Sequence, residues 1–268
     1  KWADVILVPL VSLVLAALIS IIVFVAVGQN PWEALNLMIT GAFGNTNNIG
    51  YTLFYTTNFV FTGLAVAVAF HASLFNIGGE GQALLGGLGV AVACLLIPWP
   101  HWTLALVAAT AMSALFGALW VALPAYLQAR RGSHIVITTI MFNGIASGLL
   151  IYTLNNVLRP AGSMQVASAV FPDATRIPSL NDVAAMFGSD AFGTSPANIT
   201  VLLAIGACFG VWALIWRTRL GFEIRSFGKS QTAARYAGID ATRITMITLL
   251  ISGGLAGMMA VNNTLGAN

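Results

Sequence analysis

Residues 5–28 read VILVPLVSLVLAALISIIVFVAVG, a stretch without a single charged side chain. An α-helix needs about 20 mostly apolar residues to cross the hydrocarbon core of a bilayer, so this stretch predicts one membrane crossing. It is longer than the apolar part of a signal peptide, and no A-x-A cleavage site stands nearby. We therefore expect it to remain in the protein as a membrane anchor.

The same apolar character extends along the whole chain. Only 7% of its 268 residues are charged, whereas 58% are hydrophobic. Soluble domains have about a quarter of their residues charged, so this composition argues against soluble enzymes, nucleic-acid-binding proteins and disordered chains. Backbone amides must be paired inside a bilayer, and the alternating pattern of a β-barrel is absent. We therefore predict an all-α integral membrane protein, a polytopic helix bundle.

Stretches without charge give the number of crossings. One of them, residues 81–129, is long enough for two crossings, separated at residues 97–102. Two prolines there stop a helix, and two tryptophans suit the membrane interface. Residues 45–48 are too polar for lipid, so they are left outside the second crossing. The seven predicted crossings are 5–28, 53–72, 81–97, 103–127, 134–154, 198–216 and 244–263.

Basic residues give the predicted orientation. Loops on the cytoplasmic side of a membrane carry an excess of lysine and arginine. With a cytoplasmic N-terminus, residues 155–197 form an extracytoplasmic loop with little regular structure, and residues 217–243 form a cytoplasmic loop. Nine of the eleven basic residues are then cytoplasmic: Lys1, Arg130, Arg131, Arg217, Arg219, Arg225, Lys229, Arg235 and Arg243.

The cytoplasmic loop contains a predicted short helix, Gln231–Ala237. Ser230 can cap the start of this helix, and Gly238 stands where it would end. The alternative interpretation is an ordinary basic loop held at the lipid headgroups. A capped helix is not needed for topology, which favours a surface that binds a partner. Its small residues, Ala233, Ala234 and Ala237, would let another surface come close. Arg235 and Tyr236 are candidates for polar and aromatic contacts with that partner.

The sequence lacks the residue patterns that catalysis or metal binding would need. Gly228-Lys229-Ser230 looks like the end of a P-loop, but Glu223 stands where that motif needs a glycine. We therefore do not expect the chain to bind ATP itself. The sequence contains no G-x-S-x-G or H-E-x-x-H motif, so we expect neither an enzyme nor a cofactor. A metal site is not expected either, since no second ligand stands three or four residues after any of the histidines, His71, His101 and His134.

Residues 76–82, Asn-Ile-Gly-Gly-Glu-Gly-Gln, interrupt the apolar sequence between the second and third crossings. A carboxylate in the middle of a bilayer costs several kcal/mol. Two interpretations fit equally well. The segment is either a cytoplasmic turn in which Glu80 is simply solvated, or a discontinuous helix whose ends face a polar pathway. The amides of Asn76 and Gln82 could stand in a pathway wall at lower cost than a carboxylate.

The fifth crossing carries a second polar stripe. Thr139, Asn143 and Ser147 are spaced by four residues and share one helix face. Asn143 could either line a pathway or bond to a neighbouring helix. Glycines four residues apart favour close contact between helices, and such pairs are Gly144/Gly148, Gly206/Gly210 and Gly253/Gly257.

Three stretches together resemble the permease subunits of bacterial ABC importers in the ribose/branched-chain-amino-acid class. They are residues 63–82, which contain the glycine-rich interruption, residues 136–143, and residues 221–239. Their order and spacing resemble most closely the simple-sugar and nucleoside branch, which works with lipoproteins of the basic-membrane-protein type. The resemblance spans nearly the whole chain.

The resemblance implies a fold, partners and candidate sites. Residues 1–268 would form a single type II importer permease domain in a bacterial plasma (inner) membrane. An ABC ATPase subunit would dock on the cytoplasmic loop, a second permease, identical or paralogous, would help to enclose the pathway, and an extracytoplasmic lipoprotein would deliver a nucleoside or simple sugar. Candidate ATPase-coupling residues are Glu223, Arg225, Gly228, Lys229, Ser230, Ala233, Ala234, Arg235, Tyr236 and Gly238. Candidate pathway residues are Phe75, Asn76, Glu80, Gln82, Thr139 and Asn143.

One departure and one alternative accompany this resemblance. Family members usually continue with further helices after residues 253–257, so we expect this chain, which stops at Asn268, to lack C-terminal helices. The alternative function is a secondary transporter of a small polar solute, driven by an ion gradient. Such a transporter would also explain a broken helix with a carboxylate, and in it Glu80 would titrate or bind an ion.

Overall fold

The structure, a computed structural model, describes residues 6–186, 188 and 192–266. Lys1, Val5 and parts of the predicted extracytoplasmic loop (187 and 189–191) lie outside the described residues. The helices are α1 (Val8–Ala26), α2 (Pro31–Phe43), α3 (Thr46–His71), α4 (Gly79–Leu96), α5 (Trp102–Arg131), α6 (Ile135–Thr153), α7 (Leu180–Ala185), α8 (Thr200–Arg217), α9 (Arg219–Lys229), α10 (Gln231–Tyr236) and α11 (Ala241–Leu265).

Within the described ranges, seven helices are long and apolar enough to cross a membrane, which confirms the predicted number of crossings. They are α1, α3, α4, α5, α6, α8 and α11, and a π-helical turn over Leu154–Leu158 continues α6. The protein is therefore an all-α polytopic membrane protein, as its composition predicted.

The segment before the second crossing differs from the prediction. Residues 46–48 form the first turn of α3, which therefore begins before the predicted crossing 53–72, and the Asn45 side chain caps it by accepting a hydrogen bond from the Asn48 N–H at 2.7 Å. The helix α2, which has 13 residues and is capped by Asn30, was not predicted from the sequence. At about 1.5 Å per residue, α2 is about 20 Å long, too short to cross the bilayer.

Close backbone contacts hold α4 and α5 against α11. The carbonyl of Gly253 would overlap a Cβ at Gly117, and the backbone of Gly257 would overlap a Cβ at Gly86. Small residues allow this approach in membrane helices, so the prediction of close helix contact is confirmed for Gly253/Gly257. A Cβ added to any glycine of the other two pairs, on α6 and α8, would meet no atom within 4 Å from other parts of the described chain.

The ends of several helices meet on one side of the bundle, which we call the basic side. It carries the end of α5 with Arg130 and Arg131, the end of α8 with Arg217, and all of α9 and α10. The end of α3 lies there too, since the His71 carbonyl contacts Gly228 of α9. On the opposite side, residues 159–199 are largely irregular where described, with α7 and a 3₁₀ turn as short exceptions.

Candidate functional site

The non-helical residues 72–78 between α3 and α4, here called the break segment, re-enter the helix bundle. Asn76 Nδ2 donates to Ser252 Oγ at 2.9 Å, and Ser252 Oγ donates to the Ala65 carbonyl of α3 at 2.7 Å. At about 1.5 Å per residue, Ser252 stands about 16 Å along α11 from its start at Ala241. Asn76 therefore lies well inside the membrane-spanning region. This depth favours the interpretation as a discontinuous helix over the interpretation as a solvated cytoplasmic turn.

Two buried amides close the break segment onto α4. Asn76 and Gln82 are 5% and 1% exposed, and each amide donates to the other's carbonyl oxygen at 3.0 Å. Asn76 Oδ1 also accepts from the Gly78 N–H at 2.9 Å. In this structure the two amides are bonded to each other, and Asn76 is also bonded to Ser252.

Asn143 of α6 bonds to the backbone of the break segment and to that of α4. Its Oδ1 accepts from the Gly81 N–H at 2.9 Å, and its Nδ2 donates to the Ile77 carbonyl at 3.1 Å. The first turn of a helix leaves backbone N–H groups without intrahelical partners, and Asn143 satisfies one of them. Of the two roles considered for Asn143, the structure therefore shows interhelical hydrogen bonding.

Thr139 packs one helical turn before Asn143. It is buried, and its hydroxyl donates to the Ile135 carbonyl of its own helix at 2.8 Å. A Cβ added to Gly78 would lie only 3.0 Å from Thr139 Cβ, so glycine allows the close packing seen there. Ser147, predicted on the same face, is exposed.

Glu80 and Phe75 are the two candidate pathway residues that remain exposed. Glu80 lies in the first turn of α4, where the helix dipole favours a negative charge. Its neighbour Gly81 bonds to Asn143, which is about 12 Å from the start of α6 at about 1.5 Å per residue. A carboxylate at that depth needs water or polar partners, because hydrocarbon would cost several kcal/mol.

On the basic side, α9 is an amphipathic helix that packs one face against the bundle. Thr218 caps its start by accepting the Gly221 N–H at 3.0 Å, and the buried residues are Gly221, Ile224 and Phe227. Glu223 forms an ion pair with Arg219, Nε to Oε1, at 3.3 Å. The Arg225 guanidinium lies 4.6 Å from the ring centre of Trp216. Glu223 and Arg225 are thus engaged within the chain.

The predicted short helix is confirmed as α10, one residue shorter at its end. Ser230 Oγ accepts the Ala233 N–H at 3.2 Å, and Gly238 follows the helix with φ at +79°. The Gly238 N–H donates to the Arg235 carbonyl and the Ile239 N–H to the Ala234 carbonyl, both at 3.0 Å. This pair of bonds is a Schellman motif, which glycine favours because its φ is positive.

Only part of the small-residue face of α10 is available to a partner. Ala234 is 2% exposed and packs with Ile224 and Phe227, so the prediction that it belongs to a partner-facing surface is wrong. Ala233 and Ala237 are exposed, as are Lys229 and Ser230. Tyr236 is 89% exposed. We call the exposed polar residues of α10 the docking face: Gln231, Thr232, Arg235 and Tyr236.

Two serines that were not predicted as site residues hold the break segment. Ser252 receives the Asn76 amide, and Ser73 Oγ donates to the Gly228 carbonyl at 2.7 Å. Ser252 is a polar residue inside the apolar run of α11, and this feature of the sequence could have indicated a role for it. Nothing in the sequence indicates the contact of Ser73, since its partner is 155 residues away.

Comparison with known proteins identifies the family. Residues 48–267 match the family described as branched-chain amino acid transport system / permease component. The chain is 32% identical to the guanosine ABC transporter permease protein NupP of Bacillus subtilis, over 97% of this chain and 72% of the relative. It is 33% identical to the nucleoside ABC transporter permease protein NupB of Lactococcus lactis, over 96% and 70%.

A third relative is the glucose ABC transporter permease protein TsgB13 of Haloferax volcanii, 26% identical over 97% of this chain and 68% of the relative. No solved structure matches the chain. The family match and the relatives favour an ABC transporter permease over a secondary transporter driven by an ion gradient. The chain therefore belongs to the permease-component family of branched-chain amino acid transport systems and is a transmembrane permease subunit of an ABC transporter.

Proposed function

We propose that this chain forms, as a single permease domain, part of the translocation pathway of an ATP-driven importer, and that its docking face binds a separate ATPase subunit. The observation that carries the proposal is the construction of α10. Ala234 fixes the helix to its own chain, while Arg235 and Tyr236 point away from the bundle with 89% of Tyr236 exposed. Tyrosine and arginine are enriched where proteins bind one another.

The charge distribution supports a cytoplasmic position for the docking face. The basic side carries Arg130, Arg131 and the basic residues of α9 and α10, and positive charge accumulates on the cytoplasmic side. This orientation, in a bacterial inner membrane, gives a cytoplasmic N-terminus. It also brings α10 to the compartment that contains ATP.

The pathway in this proposal passes the break segment. Glu80 and Phe75 are exposed beside a discontinuity that Asn76, Gln82 and Asn143 hold closed from within. Thr139 supports the packing at Gly78. ATP binds the closed form of the ATPase dimer better than the open form, and this difference in affinity is what drives the conformational change. Movement of α10 acts on α9 and α11, which flank it directly in sequence.

Two further partners complete the proposal. A second permease, identical or paralogous, covers the exposed apolar and glycine-bearing face of α6, where Gly144 and Gly148 have no neighbour in the described chain. The same partner would give Glu80 the polar surroundings that it needs at its depth. An extracytoplasmic solute-binding lipoprotein delivers the solute to the opposite side, as the family resemblance implies.

Nucleosides are the proposed solutes, with simple sugars second. The two relatives above 30% identity are named for guanosine and nucleoside transport, whereas the glucose relative is 26% identical. Phe75, 43% exposed beside the break segment, offers a ring on which a nucleobase could stack.

The test is reconstitution of the complete transporter in proteoliposomes. We expect guanosine uptake that requires ATP and the ATPase subunit, and that a proton or sodium gradient cannot replace. Arg235→Glu in the docking face should release the ATPase subunit during purification. Arg159→Glu, the same charge change in the exposed loop of the opposite side, should leave that association intact. ATPase association that survives Arg235→Glu and Tyr236→Ala would contradict the proposed docking face.

A further inference from the structure

Ser73 has an unusual backbone conformation for a residue other than glycine. Its φ is +55°, and it is the one residue other than glycine with a positive φ in the part of the chain that the structure describes. Side chains of L-residues rarely adopt this region, and strained backbone of this kind occurs at functional contacts. A hydrogen bond holds the residue there, since Ser73 Oγ donates to the Gly228 carbonyl at 2.7 Å.

Gly228 is in direct backbone contact with the end of α3. A Cβ at this position would overlap the carbonyl of His71 and approach Ala72. The last turn of α9 therefore lies against the start of the break segment without any side chain between them. Gly228 is also two residues before Ser230, the residue that caps α10. A displacement of α10 consequently reaches Ser73 through a short, rigid path.

The break segment carries such a displacement onward to the buried amides. Ser73 and Asn76 are joined by at most about 10 Å of extended chain. Leu74, between them, packs in the same buried cluster as Phe227 of α9 and Ala234 of α10. Asn76 in turn bonds to Gln82 of α4 and Ser252 of α11. The contact at Ser73 thus connects the docking helix to the network that closes the discontinuity.

The surroundings leave room for this part of the chain to move. A cavity of about 380 Å³ lies beside the contact, and its lining includes Ser73, Phe75, Ser133 and Gln231. Ser133 has a buried hydroxyl that forms no hydrogen bond within the described structure. The break segment and the loop before α6 both line this cavity, so Ser73 has unfilled space beside it.

We propose that Ser73 and Gly228 are positioning residues of transport: their contact transmits the movement of α10 to the break segment, so that ATP use and opening of the discontinuity occur together. The inference rests on the proposed function, because it takes α10 as the ATPase-docking helix and the break segment as part of the pathway. A transporter without this contact still binds its ATPase and still hydrolyses ATP, but moves less solute for each ATP.

The experiment measures solute uptake per ATP hydrolysed for the complete transporter in proteoliposomes, with guanosine as the probe. Ser73→Ala removes the hydrogen bond, and Ser73→Gly removes it while accepting the left-handed backbone. We expect both variants to keep ATPase association and ATP hydrolysis but to lose about tenfold in uptake per ATP, the effect of about 1.4 kcal/mol of lost coupling. Ser133→Ala, which removes an unbonded hydroxyl at the same cavity, should match the unsubstituted protein.

Ser73→Asn and Ser73→Gly separate coupling from folding. Ser73→Asn tolerates a positive φ and can donate from its amide, so it should retain more of the uptake per ATP than Ser73→Ala. If Ser73→Ala does not fold, Ser73→Gly carries the test. An unchanged ratio in Ser73→Gly, or an equal loss in Ser133→Ala, overturns the inference while leaving the docking face in place. Failure of the unsubstituted chain to associate with an ATPase would instead overturn the proposed function itself.

Discussion

Replacement of the buried amides at the break tests whether they hold the discontinuity closed. Asn76→Leu removes four hydrogen bonds. Two of them join Asn76 to the Gln82 amide, one is donated to Ser252 Oγ, and one is accepted from the Gly78 N–H. Gln82→Met removes only the two bonds that it shares with Asn76. Asn76 would keep Ser252 and Gly78 as partners in the second variant. The two substitutions should therefore differ in cost although both remove one amide from the same pair.

The magnitudes follow from the number of bonds lost. Hydrogen bonds between membrane helices contribute about 0.6 kcal/mol each on average, so Asn76→Leu should cost about 2 kcal/mol and Gln82→Met about 1 kcal/mol. The double variant removes the same four bonds as Asn76→Leu alone. The double variant should therefore also cost about 2 kcal/mol. The sum of the two single costs should exceed this value by about 1 kcal/mol, which is the energy of the hydrogen bonds between Asn76 and Gln82.

The assay is equilibrium unfolding of the purified permease in mixed micelles with increasing denaturing detergent. Asn36→Leu, on the exposed surface of α2, serves as a matched control and should change the free energy of unfolding by less than about 0.5 kcal/mol. Additive costs for Asn76→Leu and Gln82→Met, or a larger cost for Gln82→Met, would refute the paired arrangement at the break.

Three other outcomes are expected. Gly257→Leu should lower the free energy of unfolding by at least about 1–3 kcal/mol because a side chain there overlaps the Ser113 carbonyl of α5, which thermal unfolding in detergent would measure. Ala234→Leu should loosen α10 from the bundle and expose residues 229–238 to limited proteolysis, whereas Ala233→Leu on the exposed side should not. In α7, the Ser179 backbone N–H and then its hydroxyl lower the pKa of Asp182 below 3.8. The stability of that turn should therefore be full above about pH 4 and fall as the pH drops through the lowered pKa, and Asp182→Asn should abolish this dependence in hydrogen exchange of the turn.

Local patterns in the sequence predicted the features that depend on short stretches. Runs of apolar residues without charge gave the seven crossings, since the cost of charge in hydrocarbon leaves few alternatives. The caps of α10 were also predictable, because Ser230 and Gly238 act through bonds to residues within five positions. The helix α2 was missed because its 13 residues are too few for a crossing and include polar residues.

Features that depend on distant contacts could not be predicted. The depth of the break segment is set by Asn76 bonding to Ser252, 176 residues away. The inward orientation of Ala234 depends on α9 packing beneath a helix of only six residues, which is too short for a reliable apolar period. Composition indicated that Asn76 and Gln82 were unusual in a membrane, but their bonding to each other required the three-dimensional arrangement of α4 and the break segment.

Site-specific cross-linking to the ATPase subunit shows whether that subunit binds the docking face. In a transporter with Cys94→Ala and Cys208→Ala, a cysteine would replace Tyr236, which is 89% exposed, or Ala234, which is 2% exposed. We expect Tyr236→Cys to cross-link to the ATPase subunit and Ala234→Cys not to do so. Absence of a cross-link from Tyr236→Cys and from Arg235→Cys, in a complex that still transports guanosine with ATP, would show that the ATPase subunit does not bind the docking face.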